Sequence, residues 1–151
     1  MSSAMTDLNA EAMAVAIAEA EQGLAEGGIP IGSVLVDAGG ILASGHNKRV
    51  QAGDPIAHGE MDCLRSAGRR RSYRGLALYT TLSPCMMCSG TIVQFKIPRV
   101  IIGENRNFGG NEEFLRSHGV EVIVLDDPHC VAMMEAFQRD HAETWLEDIG
   151  E

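Results

Sequence analysis

Between Asn9 and Glu26 apolar residues recur at helical spacing. Met13, Ala16, Ile17, Ala20 and Leu24 fall on one side, while Glu11, Glu19, Glu21, Gln22 and Glu26 fall mostly on the other. Asn9 is suited to cap this helix and Gly27-Gly28 to end it. Ile31 to Asp37 and Ile41 to His46 flank Ala38-Gly39-Gly40, a pattern that predicts a hairpin. Asp54-Pro55 breaks the chain, and His58 to Ala67 follows as a second helix stopped by Gly68. Leu76 to Thr81 is strand-like, after which Ser83 offers a cap and Pro84 a first helical residue. Arg99 to Gly103 and Glu121 to Leu125 are two more strands, separated by a helical Glu112 to Ser117. Met133, Ala136, Phe137 and Trp145 predict one or two closing helices from Pro128 onward. A hairpin followed by strands alternating with helices predicts an α/β fold, with a five-stranded mixed sheet covered on both faces.

The chain has 151 residues, 45% of them apolar and 22% charged, which fits one domain spanning 1–151. That length buries roughly 68–70% of the unfolded surface, enough to fold without staples. No apolar run approaches the roughly 18 residues of a membrane span, so a membrane partner is not expected. The first cation is Lys48, and the expectation is a cytoplasmic protein. Twelve Lys and Arg against 21 Asp and Glu give a net charge of -9, which argues against nucleic acid as a partner.

The strongest chemical signal is His58-Gly59-Glu60 together with Pro84-Cys85-Met86-Met87-Cys88, each motif opening a helix. Residues three apart at a helix start share a face, so Cys85 and Cys88 can grip one ion. Exposed backbone N–H groups there favour thiolates. With His58 the donor set is one nitrogen and two sulfurs, which suits tetrahedral Zn²⁺ and leaves a fourth corner for water or hydroxide. Glu60 is placed to neighbour that water without ligating the ion and to carry its proton. His-x-Glu paired with Pro-Cys-x-x-Cys is the signature of zinc deaminases of nucleobases.

Less specific features have plainer readings. A closed structural zinc site would leave Glu60 without a role, and a redox Cys-x-x-Cys would make the nearby His58 and Glu60 a coincidence. Cys63 and Cys130 read as small packed hydrophobes. His46, His118, His129 and His141 lack ligand spacing to the cysteines and read as surface or hydrogen-bonded residues. Met86, Met87, Met133 and Met134 read as packing, with a subunit contact as the alternative. Arg65, Arg69, Arg70, Arg71 and Arg74 place five cations in ten residues, read as a solvated helix end and loop rather than a phosphate grip.

From about Met13 to Glu151 the chain resembles the fungal type of cytosine deaminase, within the cytidine deaminase-like superfamily. The likeness covers the zinc motifs, Glu26 to Gly32, Gly45-His46-Asn47, Leu78 to Cys85, Gly103-Glu104-Asn105 with Asn107-Phe108, and Trp145 to Glu151. The terminal stretch separates the free-base enzyme from other members. The resemblance implies a three-layer α/β/α sandwich and a homodimer. It also implies that Asn47 and the Gly59 backbone hold the pyrimidine carbonyl edge, that Ser83 and Asp148 face the departing amino group, and that Ile31, Phe108 and Trp145 form the walls. The loop from Gly68 to Arg74 is shorter and more basic than the fungal pattern, and Gln94-Phe95-Lys96 and Ile56-Ala57 also differ.

The expected function is therefore zinc-dependent hydrolysis of free cytosine to uracil and ammonia, with the last helix closing over a small-molecule base. Rival substrates are guanine, isocytosine, a pterin, or adenosine in tRNA. A zinc-stabilised binding module without turnover is the rival of a different class.

Overall fold

The computed structural model describes residues 8–151. Helix α1 (Ala10–Ala25) starts as its pattern requires: the Asn9 side chain accepts from the Ala12 N–H at 3.0 Å, a cap worth about 1 kcal/mol. Strands β1 (Gly32–Asp37) and β2 (Gly40–His46) form the hairpin, with a register irregularity at Leu35/Val36. Then follow α2 (Arg49–Ala52), α3 (Gly59–Ala67), β3 (Ala77–Leu82), α4 (Met86–Gln94), β4 (Arg99–Glu104), α5 (Glu112–Ser117), β5 (Glu121–Val124), α6 (Pro128–Asp140) and α7 (Ala142–Asp148).

The sheet has the order β2-β1-β3-β4-β5. β1 runs antiparallel to both neighbours, and β3, β4 and β5 are parallel. Alternation along the strands divides the core. Val34, Val36, Tyr79 and Ile101 pack with Ala12, Met13 and Ala16 of α1 and Cys130 of α6. Leu35, Leu78, Val100 and Ile102 pack with Cys63 and Leu64 of α3, Ile92 of α4 and Leu115 of α5. The result is the expected three-layer sandwich, and Cys63 and Cys130 are core residues.

Two glycines permit the close layering. A side chain at Gly32 would place its Cβ 1.9 Å from the Ala16 carbonyl oxygen, and one at Gly45 would lie 2.5 Å from the Cys63 backbone nitrogen. Any larger residue would push α1 or α3 off the sheet.

Some local expectations fail for identifiable reasons. The single turn α2 has no buried residue and so no apolar period to betray it. Ser83 does not cap α4. Cys85 does, its sulfur accepting from the Cys88 N–H at 3.5 Å, while the Ser83 hydroxyl donates to Glu112. Met86 and Met87 are 53% and 37% exposed rather than packed, because the first turn of α4 lies at the surface.

Candidate active site

All of the expected site elements arrive at one end of the sheet. The entry to β1 brings Ile31, the exit of β2 brings Asn47, the exit of β3 brings Ser83 and Cys85, and the exit of β4 leads to the loop carrying Phe108. Antiparallel pairing of Ser33 with Thr80 and parallel pairing of Leu82 with Glu104 fix this coincidence. The N-termini of α3 and α4 converge here, with His58 and Cys85 as their N-cap residues. Being N-caps lets both side chains reach beyond their helix ends, and Glu60 sits in the first turn behind His58.

His58 Nδ1 lies 3.4 Å from Cys85 Sγ and 3.7 Å from Cys88 Sγ, and the three donor atoms lie within 4.8 Å of one another. Tetrahedral bonds of about 2.0–2.1 Å to nitrogen and 2.3 Å to sulfur put donors roughly 3.6 Å apart, which both nitrogen–sulfur distances match, so the trio suits a zinc ion. The thiols divide their proton unequally. A hydrogen bond from Cys88 pulls the Cys85 thiol down to about 4 against the effect of burial, and His58 helps. The same contact, with burial and Glu60, pushes Cys88 up.

The other face of His58 is occupied too. Nε2 lies 3.2 Å from Asp148 Oδ1, and Asn47 Nδ2 donates to both Asp148 oxygens at 3.4 Å. Burial pushes the imidazole down, but Asp148 and Cys85 outweigh it and raise it to about 10. Asn47 Oδ1 accepts from the Arg49 N–H at 2.9 Å. Glu60 is buried, and burial with the nearby Cys85 charge raises its carboxyl to about 7.

A cavity beside the trio is lined by Ile31, His58, Glu60, Ser83, Cys85, Phe108, Trp145 and Asp148. Leu82 and Ile149 also line it, which the sequence reading missed although both fall in stretches that carried the resemblance. Asn47 and Gly59 are not among its lining residues; both are buried beside it, and Gly59 is tight against the Ile31 carbonyl. Phe108 and Trp145 meet edge to face at 5.9 Å. The cavity measures about 20 Å³, against roughly 300 Å³ or more for an open ligand pocket. A ligand requires α7 or the Phe108 loop to move.

Two carboxylates that the sequence reading gave no role hold the rim. Glu104 is fully buried and accepts from the Arg106 N–H at 2.7 Å, the Asn107 N–H at 3.0 Å and Asn107 Nδ2 at 2.8 Å, fixing the loop before Phe108. Glu112 takes the Ser83 hydroxyl and the Gly110 N–H. Ser83 therefore has only acceptors, its hydroxyl oxygen and its backbone carbonyl, to offer the cavity.

The profile of the cytidine and deoxycytidylate deaminase zinc-binding region matches residues 6–104, which span both ligand motifs. The chain belongs to this family. The ion its donor set accepts is thus zinc. Among family relatives, a cytosine deaminase of Candida albicans is 44% identical over 150 residues, covering 97% of this chain and 100% of that protein. A tRNA-specific adenosine deaminase of Bacillus subtilis is 36% identical over 142 residues, covering 85% of this chain and 87% of that protein. Among solved structures, a tRNA deaminase acting at the wobble position superposes with a TM-score of 0.68 at 28% identity, covering 76% of this chain and 96% of that one. A guanine deaminase from Nitrosomonas europaea, at 19% identity and a TM-score of 0.70 over 85% of this chain and 83% of that one, shares the fold.

Proposed function

We propose that this chain is a zinc hydrolase that converts free cytosine to uracil and ammonia. The observation that carries the reading is α7. Its Trp145 and Asp148 line the cavity, which at about 20 Å³ admits a base only once α7 or the Phe108 loop moves, and α7 returning over it favours a small planar base over one carrying a sugar-phosphate chain. The near full-length likeness to a cytosine deaminase supports the same substrate.

His58, Cys85 and Cys88 hold the ion. Zinc bound to such a set lowers the pKa of water towards about 7 and so supplies a nucleophile at neutral pH. Glu60 is buried within the cavity, and burial favours its neutral form, which suits a carboxyl that takes up a proton and gives it back. It takes a proton from the attacking water and gives it to the ring nitrogen beside the attacked carbon. Glu60 then takes the remaining proton from the added hydroxyl and passes it to the amine, so that the carbon–nitrogen bond breaks, ammonia leaves, the new carbonyl forms and the carboxylate is restored.

Orientation comes from the rim. Asn47 Nδ2, whose contacts with both Asp148 oxygens are long at 3.4 Å, turns one of its two hydrogens to the base carbonyl together with the Gly59 N–H when the base is bound. The Ser83 carbonyl and Asp148 accept from the amino group. A carbonyl in that place would meet only acceptors, which is how cytosine is told from uracil. Ile31, Phe108 and Trp145 supply the apolar faces.

The protein acts as one catalytic domain and as a homodimer in the cytoplasm. Exposed Met86 and Met87 on α4 supply an apolar contact surface, and the four cysteines are unpaired, as a reducing compartment keeps them. Glu60→Gln tests the mechanism: ammonia release from cytosine should fall by about 10²–10⁴-fold with zinc content unchanged. Full activity in that variant would remove Glu60 from the chemistry.

A further inference from the structure

From Cys63 to Gly103 the chain contains seven of its twelve cations and none of its 21 carboxylates. The fold concentrates five of those cations. Arg69, Arg70, Arg71 and Arg74, from the loop after α3, meet Lys96, from the end of α4, around one surface cleft of about 500 Å³. These are two of the three segments at which the chain departs from the fungal pattern, and they come together in space.

Elsewhere the cations are neutralised in pairs. Lys48, Arg49, Arg99, Arg106, Arg116 and Arg139 each have a carboxylate within 4 Å. Among the described residues, the five in the cleft and Arg65 on the last turn of α3 have none. A protein of net charge -9 that leaves half its cations unpaired, and gathers them at one place, has kept a local positive field there.

Two features shape the cleft for more than a bare anion. Tyr73 and Phe95 stack at 5.2 Å with their planes 19° apart, and Phe95 is 43% exposed, so an aromatic face is presented among the cations. Lys96 stands in the left-handed region, φ 59°, at the position after the α4 cap where the chain turns back through Lys96 N–H to Val93 carbonyl and Ile97 N–H to Ile92 carbonyl bonds. That turn favours glycine, and a lysine there is held at a cost in backbone strain.

We propose that this cleft binds a nucleoside polyphosphate, with the phosphates on Arg69, Arg70, Arg71, Arg74 and Lys96 and the base against Phe95. Stacking on an aromatic ring beside a cationic track is how single nucleotides are held without sequence reading. The cleft has the volume of one such ligand. A longer nucleic-acid backbone would run out over an acidic surface and be repelled. The cleft lies at the C-terminal ends of α3 and α4, the two helices whose N-termini carry the zinc ligands, so occupancy ties those ends together.

The test is titration of the full chain with ATP, inorganic tripolyphosphate and adenosine at low ionic strength, followed by calorimetry and thermal melting. ATP is expected to bind saturably and raise the melting temperature, tripolyphosphate to bind more weakly, and adenosine not to bind. Arg70→Gln with Arg71→Gln should weaken ATP at least tenfold while ammonia release from cytosine is unchanged. Phe95→Ala should weaken ATP but not tripolyphosphate. Lys96→Gly should weaken ATP while raising the melting temperature of the free protein, so loss of binding cannot be laid to loss of fold. Absence of saturable ATP binding, or wild-type affinity in the double arginine variant, overturns the proposal. Capture of a single-stranded RNA decamer far more tightly than ATP overturns it in favour of a nucleic-acid surface.

Discussion

His58 has two ring nitrogens and both are committed, Nδ1 towards the cysteines and Nε2 to Asp148 at 3.2 Å. An acceptor on the far nitrogen fixes the tautomer and ring orientation, and strengthens the donor that faces the ion. Asp148 therefore has a task beyond the base. Asp148→Asn keeps the shape but removes the charge, and zinc affinity, measured by competition with a chelator, should fall about 10–100-fold. Unchanged affinity would confine Asp148 to substrate recognition. The spacing of His58, Glu60, Cys85 and Cys88 made the donor set legible in the sequence, because those residues act through local helix geometry. The Asp148 contact was not legible, since it joins residues 90 apart in the chain and only packing creates it. Glu104 was hidden in the same way: nothing about an acidic residue at a strand end says that three donors will converge on it.

Elements, more than single residues, were read well where burial imposes a period. α1, the hairpin and β3 to β5 all carry such a signature, and their observed ends differ from expectation by a residue or two. One cross-element device escaped. His46, at the end of β2, is bracketed by two carboxylates of α1, Glu19 at 2.6 Å and Glu26 at 2.8 Å. Burial pushes the imidazole down, but the two carboxylates outweigh it and hold it above 6.5. Glu26 is held down to about 2 by hydrogen bonds from Gln22, His46 and Gln51. A raised histidine contributes stability that is complete below its unfolded pKa and lost as pH climbs through the folded one. A depressed carboxyl contributes stability that is complete above about 4.5 and lost as pH falls towards 2. The clamp of α1 to β2 is thus strongest between about pH 4.5 and 6.5. Urea midpoints should decline above pH 6.5 in the natural protein, and the decline should be shallower in His46→Gln. Parallel curves for the two proteins would remove the clamp from the stability account.

At the scale of the whole molecule, one sheet end collects the zinc donors, Glu60 and α7, while the far ends of α3 and α4 collect the unpaired cations. Charge is segregated rather than mixed, which composition alone could not disclose because -9 is a sum. Along the sequence, Arg65 to Arg74 is no more than a solvated helix end and loop. Folding adds Phe95 and Lys96 to that loop and makes a cleft of it. Reaction type and substrate rest on different parts of the chain. The motifs carry the first, and α7 with Trp145 and Asp148 carries the second. The most direct measurement is ammonia release by zinc-loaded protein offered cytosine, isocytosine, guanine, a pterin, cytidine and tRNA in parallel. Cytosine should be turned over with by far the highest kcat/KM, cytidine and tRNA hardly at all. Faster release from guanine or from tRNA adenosine, with cytosine left intact, would contradict the account.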